Sequence, residues 1–115
     1  KKKKFNTPAF NFDEVVTMPQ NSVLLASNLI NKVQGLNFKV HDCDIWGLQY
    51  HPEITYNKMI NIIVFRKERL LKKEAFGNEK EIKSHIQHIE SENKKLDKIS
   101  RMRELENWLN YLNLK

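Results

Sequence analysis

His51 and Glu53 stand two residues apart with Pro52 between them. In an extended chain a period of two puts both side chains on the same side. Pro52 is itself held near extended backbone torsions and biases His51 the same way. A carboxylate beside an imidazole fixes the tautomer and steadies the imidazolium that forms when the ring takes a proton. The second ring nitrogen is then free to serve a thiol or hydroxyl, which is the base-and-orienter part of a nucleophilic triad. The same three residues also suit a plain surface turn with a structural histidine, and spacing alone does not choose between the two.

The remaining chemistry-bearing residues offer less. Cys43 is the single cysteine, so a disulfide within the chain and a cysteine-based zinc cluster are both excluded. It sits in the polar stretch His41-Asp42-Cys43-Asp44, with no glycine beside it, at the opposite end of a strand from His51. That position does not suit a nucleophile serving this histidine. His41, His85 and His88 read as exposed. His85 and His88 lie three apart on a helical pattern, but no third ligand completes a metal site. No metal and no bound cofactor is expected.

Elements must position His51 and Glu53. Residues 1–22 read as loop, the first ten exposed, with Val15-Val16 a short extended candidate and Pro19-Gln20-Asn21 a turn signal. Val23 to Ser27 is a candidate buried strand. Gln34 to Val40 alternates, with Leu36, Phe38 and Val40 on one side, and Ile45 to Tyr50 follows after the polar turn, so the two should pair as a hairpin. Gly47 inside the second strand suggests close backbone approach. Pro52 ends the ladder because it has no N–H. Thr55 or Asn57 can cap a helix whose face carries Met59, Ile60, Ile63, Val64 and Leu70, ended by Gly77-Asn78. From Glu79 onward Ile82, Ile86 and Ile89 recur at helical spacing. Leu96, Ile99, Met102 or Arg103, Leu105, Trp108, Leu109 and Leu112 continue a looser stripe. One long helix or a helical hairpin fits, packed on its own domain or on a partner.

The stretch Gly47-Leu48-Gln49-Tyr50-His51-Pro52-Glu53 closely resembles the G-(V/L/I)-Q-(F/Y/W)-H-P-E signature of class I, or triad-type, glutamine amidotransferases. Upstream, Asp13 to Pro19 followed by Leu24-Leu25-Ala26-Ser27, and Gln34 to Lys39, resemble the segments that precede the signature in that family. The resemblance covers roughly residues 11–66. It implies that His51 and Glu53 complete a Cys-His-Glu triad acting on glutamine, and that the fold is α/β, the C-terminal portion of a flavodoxin-like open sheet with a helical tail. On this reading residues 1–76 are the C-terminal part of the amidotransferase domain and 77–115 an amphipathic tail. Two departures stand out. No G-x-C-x-G elbow is present, so the nucleophile is expected outside this chain, in a missing N-terminal part of the domain or on a partner chain. Asn11 in Phe10-Asn11-Phe12-Asp13 replaces the histidine of the Ser-His-x-Asp found in many relatives. The resemblance further implies a synthase domain or subunit that takes the ammonia, or, in hydrolytic relatives, no acceptor at all. A non-catalytic interaction or regulatory module is the competing reading.

Composition narrows the class. The chain has 115 residues, enough for one modest core. A charged fraction of 30% and a hydrophobic fraction of 40% suit a globular chain rather than a disordered or membrane-spanning one. The net charge is +6, and Lys1 to Lys4 supply much of it. Without interleaved aromatic residues this run reads as a solvated connection inside a longer chain rather than a nucleic-acid contact. No secretory signal is visible, so a cytoplasmic location is expected.

Overall fold

The computed structural model describes residues 4–95 and 98–113. Lys1 to Lys3 and Leu96 of the expected apolar stripe lie outside the described residues. Three strands, β1 (Val23–Ala26), β2 (Gly35–Val40) and β3 (Cys43–Leu48), form an open antiparallel sheet in the order β1-β2-β3. Among the described residues four helices follow: α1 (Tyr56–Phe65), α2 (Lys67–Lys72), α3 (Glu79–Asn93) and α4 (Lys98–Asn113). This is a small α/β chain. It divides into two compact units, one of residues 1–8 and 52–102, the other of 9–51 and 103–115.

The sheet unit is organised by the hairpin β2–β3. Its register runs from Gly35 opposite Leu48 to Val40 opposite Cys43. The connecting turn is therefore two residues, His41 and Asp42, and not the four expected: Asp44 pairs with Lys39, and Cys43 opens the strand. His41 takes the positive φ, 53°, that a tight hairpin asks of its first loop residue so that the turn matches the twist of the strands. The expected turn after Pro19 is present, with the Ser22 amide donating to the Pro19 carbonyl at 3.2 Å and Asn21 at φ 60°.

β1 is not the buried strand its composition suggests. Val23 is 55% exposed, because β1 is an edge strand hydrogen-bonded only to β2. Val15 and Val16 form no strand, and Val16 is exposed. The crowded glycine is Gly35, where a Cβ would lie 3.0 Å from Leu48 Cδ2 and 3.3 Å from Ala26 Cβ. At Gly47, where close approach was expected, a Cβ would meet nothing within 4 Å. Val33, Leu36 and Tyr50 form the buried apolar centre of this unit. The later turns of α4 belong to it as well. Trp46 and Tyr111 stack with centroids 6.2 Å apart, and the Tyr111 hydroxyl donates to Asp44 Oδ2 at 2.8 Å.

In the helical unit Thr55 caps α1, its side chain accepting from the Lys58 amide at 3.2 Å. Tyr56, Met59 and Ile63 turn inward, and α1 packs against α3 through Ile82 and Ile89. Each such isoleucine contributes roughly 1.5–3 kcal/mol by leaving water. The expected single helix through Leu70 is broken at Arg66, whose torsions (φ −98°, ψ 12°) leave the helical range. Val64, expected on the packed face, is exposed, as is Phe65 beside it. The next stop comes before Gly77. Glu74 adopts φ 56°, its amide donates to the Leu71 carbonyl and the Ala75 amide to the Leu70 carbonyl, both at 3.0 Å. These are the paired bonds of a Schellman motif.

In α4 the buried positions are Ser100 and Arg101, with Met102, Leu105 and Trp108 half-buried and Ile99, Leu109 and Leu112 exposed. In the sheet unit the half-buried positions of α4 are Glu104, Leu105, Trp108 and Tyr111, so Leu109 and Leu112 of the apolar stripe are left exposed. Residues 5–10 are irregular, as expected, but half-buried rather than exposed, and Pro8 is fully buried.

Candidate functional site

β3 delivers His51. The strand's ladder ends at Leu48, and Tyr50 makes one more antiparallel bridge, to Ala9. Tyr50 is 4% exposed. Burial first, and the Glu104 carboxylate second, push its hydroxyl up to about 12. His51 follows, half-buried, at the end of the first of the two chain segments that make up the sheet unit. Its ring meets that of Phe10 edge to face, with centroids 5.7 Å apart and planes inclined at 65°.

Pro52 is buried and Glu53 exposed, and together they form a turn. The extended geometry therefore stops at His51, and the period of two does not carry to Glu53. Glu53 belongs to the helical unit. The segment it opens is held from α4: Arg101, 5% exposed, donates through Nη1 to the Ile54 carbonyl at 2.5 Å. Tyr56, three residues beyond Glu53, has its hydroxyl titration raised by burial and by Glu92, with Arg101 opposing.

Cys43 is an exposed free thiol at the start of β3. At about 3.3 Å per residue the eight residues to His51 span roughly 26 Å. No Cys-His-Glu arrangement is assembled among the described residues. Asn11 ties its loop together. Its Nδ2 donates to the Asp13 carbonyl at 3.0 Å and to Asn31 Oδ1 at 3.2 Å, while Asn31 Nδ2 donates to Glu14 Oε2 at 3.1 Å. A cleft of about 410 Å³ lies between residues 14–18 and Lys32-Val33, and does not include His51.

Gln49 donates its amide to the Gln34 carbonyl at 2.8 Å. The side-chain Oε1 atoms of both glutamines are buried without a hydrogen-bond partner among the described residues. His85 is half-buried, not exposed as its sequence context suggests. It stacks on Phe76 at 5.3 Å and lies 6.4 Å from His88. Burial first, and His88 second, lower its pKa. Among the described residues no group of three His, Cys, Asp or Glu side chains could hold a metal ion. Sequence reasoning missed Phe10 as a neighbour of His51. The signal was hidden because the Ala9–Tyr50 bridge joins positions forty-one residues apart.

Over 51 residues, 44% of this chain, the sequence is 37% identical to gamma-glutamyl-L-1-hydroxyisopropylamide hydrolase of a Pseudomonas species. The match covers 17% of that relative's length. This is a weak and partial likeness to a hydrolase of the glutamine amidotransferase family. No family model and no solved structure matches the chain. Among the described residues no helix is long and apolar enough to cross a membrane.

Proposed function

We propose that this chain is the C-terminal part of a class I glutamine amidotransferase domain of flavodoxin-like fold, with residues 1–76 belonging to the domain and 77–115 forming a helical appendage. His51 is its general base and acid, and Glu53 orients His51. The cysteine nucleophile comes from outside this chain, on a preceding part of the domain or on a partner. The observation that carries the reading is the unbroken signature Gly47 to Glu53, with His51 three residues beyond the end of β3.

The chemistry is amide hydrolysis in two steps. The cysteine sulfur attacks the side-chain carbonyl carbon of glutamine while His51 accepts the thiol proton. The C–N bond then breaks, His51 returns the proton to the departing ammonia, and a glutamyl thioester is left. Water, activated by His51, cleaves the C–S bond to give glutamate and the free thiol. The ammonia passes to a synthase domain or subunit. The likeness to a γ-glutamyl amide hydrolase favours a second reading, in which the same steps release an amine and no acceptor is used.

The test is glutamine and γ-glutamyl amide hydrolysis by the protein purified from its source, before and after His51→Ala. Loss of roughly 10²- to 10⁴-fold in rate is expected for removing an acid–base group. Full activity in the variant sinks the proposal. Absence of all amidase activity in the unaltered protein leaves the non-catalytic module as the better account.

A further inference from the structure

We infer that the end of α1 and the exposed side of α2 form a docking surface for an anionic lipid membrane, which Phe65 enters while Arg66, Arg69, Lys72 and Lys73 meet the headgroups. All of these residues lie in the helical unit, and the inference stands apart from the role proposed for His51. At 3.6 residues per turn Phe65 stands about 200° round α1 from the buried Ile63, on the side turned away from the contact with α3. It is 89% exposed, and Val64 before it is 58% exposed. The cations that follow are exposed as well. Arg69 lies three and four residues before Lys72 and Lys73, so the three share one side of the helix, while Leu70 and Leu71 are half-buried. Lys67 is paired with Glu79 at 2.7 Å, but the ion pairs among the described residues include none of Arg66, Arg69, Lys72 and Lys73. Glu68 is the single acid between Arg66 and Lys73.

A run of unpaired cations calls for an anion, and the bare phenyl ring beside it calls for an apolar medium. An anionic bilayer supplies both at one surface: its headgroups attract Lys and Arg, and the acyl boundary just below takes Phe and Val. A protein partner would cover roughly 800 Å² on each side through about 20–30 residues, more than the stretch from Val64 to Lys73 offers. Single-stranded nucleic acid is held in a cationic groove with successive aromatic side chains for stacking, whereas here one ring stands on the outside of a helix. The contact lies on the membrane and does not cross it, since no helix among the described residues is long and apolar enough to span. Each cation near the surface strengthens partition by about fivefold, so the association is reversible and weakened by salt.

The test is sedimentation of the protein purified from its source with vesicles of phosphatidylcholine alone and with about 30% phosphatidylserine, at low salt and at about 0.5 M salt. The unaltered protein is set beside Phe65→Ser and the triple substitution Arg69→Gln, Lys72→Gln, Lys73→Gln. All four positions are exposed, so the core is left intact. Binding to the phosphatidylserine vesicles alone, weakened by salt, is expected. The triple variant should bind about 100-fold more weakly, at roughly fivefold per cation, and Phe65→Ser about 10-fold more weakly. Equal binding to both kinds of vesicle overturns the inference. So does binding that neither substitution moves, which would come from elsewhere in the chain, such as Lys1 to Lys4. Fluorescence anisotropy with a labelled thymidine oligonucleotide completes the test. Tighter binding to the oligonucleotide than to the vesicles, lost in the triple variant, assigns the cations to nucleic acid and overturns the membrane reading, as does binding to neither probe.

Discussion

Tyr50 gives a pH dependence of stability that can be worked from its surroundings. Its hydroxyl is buried, and its pKa rises from the ordinary value near 10 to about 12, chiefly because burial disfavours the phenolate. Below pH 10 the hydroxyl is protonated whether the chain is folded or unfolded, and the group adds no pH dependence. Between about 10 and 12 the unfolded chain loses the proton and the folded one keeps it. The folded state then binds more protons, and stability falls as pH rises. Two units at about 1.36 kcal/mol each set a ceiling near 2.7 kcal/mol. The share due to Glu104 is screened by salt, so the expected loss is on the order of 2 kcal/mol. Urea unfolding of the unaltered chain and of Tyr50→Phe, at pH 9 and pH 11.5, isolates this one group, because lysine titration is common to both. The unaltered chain should lose more stability over that interval than the variant, and 0.5 M salt should leave most of the difference in place. Equal losses in the two proteins would refute the argument that burial sets this titration.

Arg101→Ala should cost roughly 1.5–3 kcal/mol, the value of a hydrogen bond from a charged donor, because it leaves the Ile54 carbonyl without that donor; chemical denaturation measures it. His85 has a lowered pKa in the fold, so its contribution is full above the ordinary histidine range and is lost as pH falls through the folded value. Thermal melts from pH 7 to pH 5 should accordingly drop less in His85→Gln than in the unaltered chain. Glu74→Gly should stabilise by about 1 kcal/mol, since glycine takes the left-handed torsions of this helix stop without the side-chain penalty. Gly35→Ala should destabilise by about 1–3 kcal/mol through overpacking against Leu48 and Ala26, and the midpoint of urea unfolding reads it.

Much of the local structure was legible from residue order alone. The alternation in Gln34 to Val40, with Ile45 to Tyr50 following a polar turn, marked the hairpin. Thr55, offered with Asn57 as a cap, starts α1, and of Ile82, Ile86 and Ile89 the first and last are buried on the packed face of α3, because capping and periodicity act over one or two turns of chain. The signature Gly47 to Glu53 carried a resemblance to class I glutamine amidotransferases, which rests on likeness to that family and not on spacing. What the order of residues could not carry were the consequences of distant contacts. Whether a strand like Val23–Ala26 is buried depends on whether something pairs beyond it, and β1 is an edge. In the sheet unit, the burial of the later turns of α4 follows the Asp44 carboxylate that Tyr111 meets, not where the leucines fall. The glycine that matters for packing is Gly35, not the motif's Gly47, because crowding is decided by the strands on either side. Phe10 reaches the His51 ring through one backbone bridge between segments that no local pattern connects.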